Sequence, residues 1–173
     1  MAFVHGLESS LGRLDGAAVA DFDAGLALRP ILERYLRELE GTLGGDMLTS
    51  ILLIADDGAH LIHGAAPSLP EDYCAAIDGI AIGPAVGSCG TAAFVGHSIF
   101  VTDIARDALW ADFRDLALAA GLRACWSAPI HKDGRLLGTF AIYYRTPRAP
   151  TADERDAVQS IGNHVADAIA RWR

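Results

Sequence analysis

Apolar residues recur at helical spacing from Pro30 onward: Ile31, Leu32, Tyr35, Leu36, Leu39 and Leu43 share one face, and glycines at 41, 44 and 45 end the segment. Pro30 suits a first-turn position of that helix. Upstream, residues 1–20 carry only weak periodicity and glycines at 6, 12 and 16, so they read as a loose leader with at most a short helical turn before Asp21. The chain is therefore divided into a leader, 1–29, loosely structured or part of the first helix, and one domain, 30–173.

The pattern then changes period. Met47 to Ala55 is an apolar run, Asp56-Asp57-Gly58 supplies turn chemistry, and His60 to Ala65 returns, which predicts a hairpin. Pro67 and Pro70 bracket a loop, Glu71 to Ile77 reads as a short helix and Ile80 to Ile82 as a short strand. A glycine-rich loop, Ile82 to Ala93, follows and opens a brief helix that ends at Gly96, with Ser88 placed to cap it. Ser98 to Thr102 is strand-like, Asp103 to Ala120 reads as loop and helix, and Gly121 closes it. Arg123 to His131 and Arg135 to Tyr144 flank Lys132-Asp133-Gly134, a second and longer hairpin.

Thr151-Ala152-Asp153-Glu154 is a capping-box signature for a final helix. Val158, Ile161, Val165, Ala168 and Trp172 make one apolar seam on it, suited to docking on the domain's own sheet or to pairing with a partner helix. Strands arriving as hairpins, with helices at either end, predict an α+β domain with a mostly antiparallel sheet.

Composition narrows the functions. The chain has 173 residues, half of them apolar, and no apolar run approaches the ~20 residues that span a bilayer. Its start lacks the basic region and apolar core of a secretion signal, which predicts a cytoplasmic protein with Cys74, Cys89 and Cys125 as thiols. A formal charge of −8 and a pI near 5.1 argue against nucleic acid as a partner.

Candidate chemistry centres on the glycine loop. It lacks the Gly-Lys-Ser/Thr ending of a phosphate loop and the fingerprint of a dinucleotide site. Cys89, in the first turn of a helix, has a position that can acidify a thiol, but no His or acid stands close to it in the chain, so a packing role is the expectation. His60 and His63, three apart on a strand, point to opposite faces and do not share a metal. Cys125 and Trp126 are adjacent on a strand, so only one of them can line a given cavity. Trp110, Phe113 and Trp126 are candidates for an aromatic wall. Asp103, Asp107, Asp112 and Asp115 read as caps and solvated positions.

Gly-Ser-Cys-Gly-Thr-Ala-Ala at 87–93, Val-Thr-Asp-Ile at 101–104, Leu-Trp-Ala-Asp-Phe-Arg at 109–114, Leu-Arg-Ala-Cys-Trp-Ser-Ala-Pro-Ile at 122–130 and Gly-Thr-Phe-Ala-Ile-Tyr-Tyr at 138–144 together resemble a GAF domain. The match is to the bacterial branch found in sensor histidine kinases and cyclic-di-GMP turnover proteins, and it covers residues 30–172. The resemblance implies a twisted antiparallel sheet of about six strands, related to PAS-like architecture, with terminal helices on one face and a covered ligand pocket on the other. It implies a non-enzymatic sensor of a small molecule that signals through its terminal helices, as a homodimer, to an output kinase or cyclic-di-GMP module in cis or in trans.

Carried over residue by residue, the resemblance gives Ser88, Cys89, Thr91, Asp103, Trp110, Phe113, Cys125 and Trp126 as ligand-binding positions, with no catalytic or metal-binding residue. It names no ligand and no cofactor. The Asn-Lys-x-Phe signature of cyclic-nucleotide binders is absent, Asp103-Ile104 is followed by Ala105 where bilin binders have Pro, and no histidine matches a haem position. The loop at 87–93 is also similar to that of free methionine-(R)-sulfoxide reductases. That branch has a further cysteine shortly before the loop, where this chain has Asp78-Gly79-Ile80, and an attacking cysteine in a loop well upstream of the strand proline, whereas Cys125 lies four residues before Pro129 and within the strand. A degenerate module kept for dimerisation, its pocket filled by its own aromatic residues, is the third alternative.

Overall fold

A computed structural model describes residues 6–172. Its centre is a six-stranded antiparallel sheet in the order β3-β2-β1-β6-β5-β4. The strands are β1 (Leu48–Ile54), β2 (His60–Ala65), β3 (Ile80–Ala81), β4 (Ile99–Val101), β5 (Ala124–Lys132) and β6 (Arg135–Tyr144). Both predicted hairpins form. In the second, Asp133 and Gly134 both take positive φ, 51° and 74°, the twist that joins adjacent antiparallel strands without splaying them.

The sheet is covered on both faces, which is why β1 is buried at every position from Thr49 to Leu53 and not at alternate ones. On one face Ile51, Trp126, Ala128, Phe140 and Ile142 pack against α1 (Leu7–Asp23), α2 (Leu28–Leu43) and α6 (Ala152–Ala170). On the other, Leu52, Cys125, Ala141 and Tyr143 pack under α3 (Glu71–Ile77), α4 (Gly87–Val95), a 3-10 turn at Ala108–Trp110 and α5 (Arg114–Ala119). Trp126 and Cys125 thus face opposite sides, as their adjacency on a strand requires.

α1 corrects the expectation of a loose leader; residues 1–5 lie outside the described residues. Leu7, Leu11, Leu14 and Ala18 recur at steps of four, three and four and are all buried. Each buried leucine contributes about 1.5–3 kcal/mol, which outweighs the ~1 kcal/mol that Gly12 and Gly16 each cost in a helix. The glycines face outward and do not interrupt the packing face. Polar contacts add to it: His164 of α6 lies between Asp15 and Glu8 of α1, and the Tyr35 hydroxyl of α2 donates to Asp15 at 3.0 Å.

The capping box at the start of α6 is present, with Thr151 accepting from the Glu154 amide and Glu154 accepting from the Thr151 amide. Glu154 also receives Arg148 at 2.6 Å, and the Arg148 guanidinium stacks over the rings of Tyr144 and Trp126 at 4.4 and 5.1 Å. Of the apolar seam on α6, Val158, Ile161 and Val165 are buried against the sheet, so this seam serves the domain's own core. Among the described residues no helix is long and apolar enough to cross a membrane.

Candidate functional site

The glycine loop and the first turn of α4 sit against the sheet face opposite α6. Thr91, buried in α4, fixes the entry: its hydroxyl accepts the Val86 amide at 3.1 Å and donates to the Gly87 carbonyl at 2.6 Å. The Gly83 amide donates to the Gly90 carbonyl at 3.3 Å, folding the loop back on the helix. Gly87 has φ of +58°, and the Trp110 ring passes 3.5 Å from where its Cβ would be. At Gly90 a Cβ would lie 2.6 Å from Cβ of Val86 and 3.0 Å from the Ala81 carbonyl oxygen. These two glycines let loop, helix and Trp110 close on one another.

Ser88 does not cap the helix. The capping position is Val86, with no side-chain cap, and its own amide donates to the Thr91 hydroxyl. Ser88 is fully buried; its hydroxyl donates to the Cys125 carbonyl at 2.9 Å and accepts from Nε1 of Trp110 at 3.1 Å. One hydroxyl thereby ties the covering segment to the central strand β5.

A cavity of about 20 Å³ lies where these elements meet. Its inner wall is Leu52 of β1, Tyr143 of β6, and Ser88 and Cys89 of α4; its cover is Tyr73 and Ile77 of α3 with Trp110; Ile80, Val86 and Phe113 are half-buried at its mouth. The Tyr73 and Tyr143 hydroxyls are 3.0 Å apart, and their rings meet edge to face, as do those of Trp110 and Tyr143. None of the lining residues carries a formal charge at neutral pH, a thiolate at Cys89 apart.

Cys89 is the acidic thiol of the site. The Cys125 thiol hydrogen-bonds to it and the hydroxyls of Ser127, Thr139 and Tyr143 converge on it, bringing it to about 7 against burial, which acts the other way. The Ser127 hydroxyl donates to its Sγ at 3.3 Å. Burial pushes Cys125, and both Tyr73 and Tyr143, well above their ordinary values. On the same face of the sheet the buried Ser50 hydroxyl has no hydrogen-bond partner, and the Thr139 hydroxyl faces Cys89 without meeting hydrogen-bond geometry.

The structure brings together Ser88, Cys89, Trp110 and Phe113 in the lining, with Cys125 directly behind Cys89 and Thr91 bracing the loop. Two expected residues are elsewhere. Trp126 packs on the opposite face beneath α6, where its Nε1 donates to the Arg148 carbonyl at 3.1 Å, because strand alternation gives the cavity side to Cys125. Asp103 lies outside the cavity, held by Arg123 at 3.1 Å and accepting the Ala105 amide, so it fastens the covering loop. Asp107 caps the 3-10 turn, accepting the Leu109 amide at 2.9 Å. His60 pairs with Asp57, and among the described residues no group of three or more His, Cys, Asp or Glu could hold a metal.

Sequence reasoning missed Tyr73 and Tyr143. Tyr143 was reachable, because the hairpin pairs it with Cys125 and cross-strand partners share a face. Tyr73 arrives from a helix 70 residues away, and no local signal marks it.

A family model described as "GAF domain" matches residues 26–170. The methyl sulfide methyltransferase-associated sensor of Methanosarcina acetivorans is 34% identical over 131 residues, which is 75% of this chain and 13% of that protein. The chain thus spans about an eighth of that relative's length. The structure of a two-component sensor histidine kinase domain from Sinorhizobium meliloti superposes with a TM-score of 0.69 at 25% identity, over 85% of this chain and 93% of that one. Free methionine-R-sulfoxide reductase from Neisseria meningitidis, solved with its substrate, gives 0.72 at 14% identity, over 96% and 90%, a likeness of fold alone.

Proposed function

The chain belongs to the GAF domain family, and from that premise we propose that it is a sensory module, not an enzyme, whose α3–α4 pocket binds a small molecule and whose helical layer passes the change to an output kinase or cyclic-di-GMP module in cis or in trans. The observation that carries this reading is the Ser88 bridge. A ligand entering between Trp110 and the inner wall must disturb the bonds that Ser88 makes to Trp110 and to β5, and α6 packs on the other face of β5. The pocket and the helical layer are therefore separated by one sheet. A ligand shifts that arrangement only by binding its two states unequally.

A homodimer through terminal helices is part of this reading. The exposed positions of α1 and α6 are mainly polar or glycine, among them Glu8, Arg13, Gly16, Arg155, Asn163 and Asp167. Pairing through them would be polar and sensitive to salt. The test is thermal-shift screening against a metabolite library, with sedimentation of free and ligand-bound protein. Stabilisation by a discrete compound with a change in assembly supports the reading; no stabilising compound removes it.

One observation favours a second reading, the contact of an acidic Cys89 with Cys125, which suits a thiol enzyme acting on free methionine sulfoxide. Against it, that substrate carries an ammonium and a carboxylate, and the lining offers no counter-charge to the ammonium beyond the thiol itself and none to the carboxylate. Turnover of free methionine-(R)-sulfoxide with a thioredoxin system, lost in Cys89→Ser, would establish it.

A further inference from the structure

We propose that the pocket takes an uncharged, chiefly apolar ligand of single-ring size bearing one hydroxyl group. This rests on the sensory reading and deepens it. Charge is the first constraint. The lining supplies no cation and no carboxylate, and the arginines of the covering segment are engaged elsewhere: Arg106 and Arg123 with Asp103, Arg114 with the carbonyl oxygens of Ile104 and Asp107. A carboxylate, phosphate or ammonium brought inside would lose its hydration without a counter-ion, a cost of several kcal/mol. A Cys89 thiolate would repel an anion further.

Size is the second. The cavity of about 20 Å³ holds about one water molecule. Phe113 is the aromatic side chain at the mouth, half-buried where Trp110, Tyr73 and Tyr143 are buried. Swung outward, its ring would enlarge the cavity that it lines together with Trp110 and Ile77. A single ring fits that exchange.

The polar group follows from the tyrosines. Either hydroxyl of the Tyr73–Tyr143 pair can donate to the other. With Tyr143 turned toward the thiols, Tyr73 offers lone pairs; with the direction reversed, it offers a proton. A ligand hydroxyl both accepts and donates, so it satisfies either arrangement, where a carbonyl, which only accepts, satisfies one.

The test is a 19F NMR titration of the full chain with 4-fluorophenol, 4-fluorotoluene and 4-fluorobenzoate at neutral pH. The expected order is phenol tighter than toluene by about fivefold and tighter than benzoate by tenfold or more, since one hydrogen bond is worth about 1 kcal/mol. The double variant Tyr73→Phe, Tyr143→Phe removes both partners without changing shape, and brings phenol down to toluene. Phe113→Ala, which opens the mouth, tightens phenol and toluene alike. Benzoate binding as tightly as phenol overturns the ligand class and leaves the sensory reading standing. No binding of any probe to either the wild type or Phe113→Ala overturns the class as well, and the metabolite screen then decides the sensory reading: a charged hit spares it, and no hit removes it.

Discussion

Replacing Gly90 by alanine tests whether the glycine loop is shaped by close packing or only by helix propensity, because the two effects have opposite signs. Inside an unobstructed helix, glycine to alanine stabilises by about 1 kcal/mol. Gly90 is in α4, yet its added methyl would lie 2.6 and 2.7 Å from Cβ and Cγ1 of Val86 and 3.0 Å from the Ala81 carbonyl oxygen. The nearest of these atoms is the root of a side chain and the last is backbone, so no rotamer change relieves the contact. Overpacking of this kind costs about 1–3 kcal/mol. The sum is a net loss of about 1 kcal/mol. Gly16→Ala is the matched control, since nothing lies within 4 Å of its added methyl on α1, and it gains the propensity term alone. Urea unfolding followed by circular dichroism separates the two: at a slope of about 2 kcal/mol/M, the midpoints move in opposite directions, each by roughly 0.5 M. Gly90→Ala as stable as Gly16→Ala would refute the packing of the loop onto the helix.

The remaining predictions concern the helical layer and the thiols. Burial opposes the charged form of His164, but the hydrogen bonds and charges of Asp15 and Glu8 outweigh it and raise its pKa above 6.5. A raised histidine contributes stability that is complete below about 6.5 and is lost as pH rises through the elevated value. The stability difference between wild type and His164→Gln, from urea midpoints, is therefore expected to shrink between pH 6 and pH 9, and a difference that grows would contradict the clamp. Ellman's reagent on native protein labels Cys74, half-exposed, ahead of the other two thiols. Cys89 and Cys125 react only on unfolding, despite the acidity of Cys89, because a thiolate must also be reached; two rapidly labelled thiols would show that the pocket is open. Thr151→Ala removes the hydroxyl that accepts the Glu154 amide and costs about 1 kcal/mol in the same unfolding assay, and no measurable loss would mean that the cap is idle.

The hairpins and the α6 cap were legible in the sequence because their signals are local: Asp57-Gly58 and Asp133-Gly134 between apolar runs, and Thr151 three residues before Glu154. α1 was not, although its buried positions 7, 11, 14 and 18 carry a helical spacing, because Gly12 and Gly16 weaken its propensity and tertiary burial is what stabilises it. At the pocket, strand alternation settled that Cys125 and Trp126 diverge but not which faces the ligand, since that depends on which layer covers which side. Ser88 looked like a cap from its position; a nonlocal strand carbonyl and the Trp110 ring nitrogen use its hydroxyl instead. Tyr73, joined to Tyr143 only by the fold, had no sequence signal.

Native mass spectrometry of protein isolated rapidly from its own cells tests the central claim most directly. A small molecule held in the α3–α4 pocket gives a discrete non-covalent mass above the polypeptide, released on gentle activation and diminished when Ile77→Trp fills the cavity. A bare polypeptide mass from cells grown under many conditions, unchanged by that substitution, would contradict a ligand-binding pocket and leave a module whose own aromatic side chains fill the site.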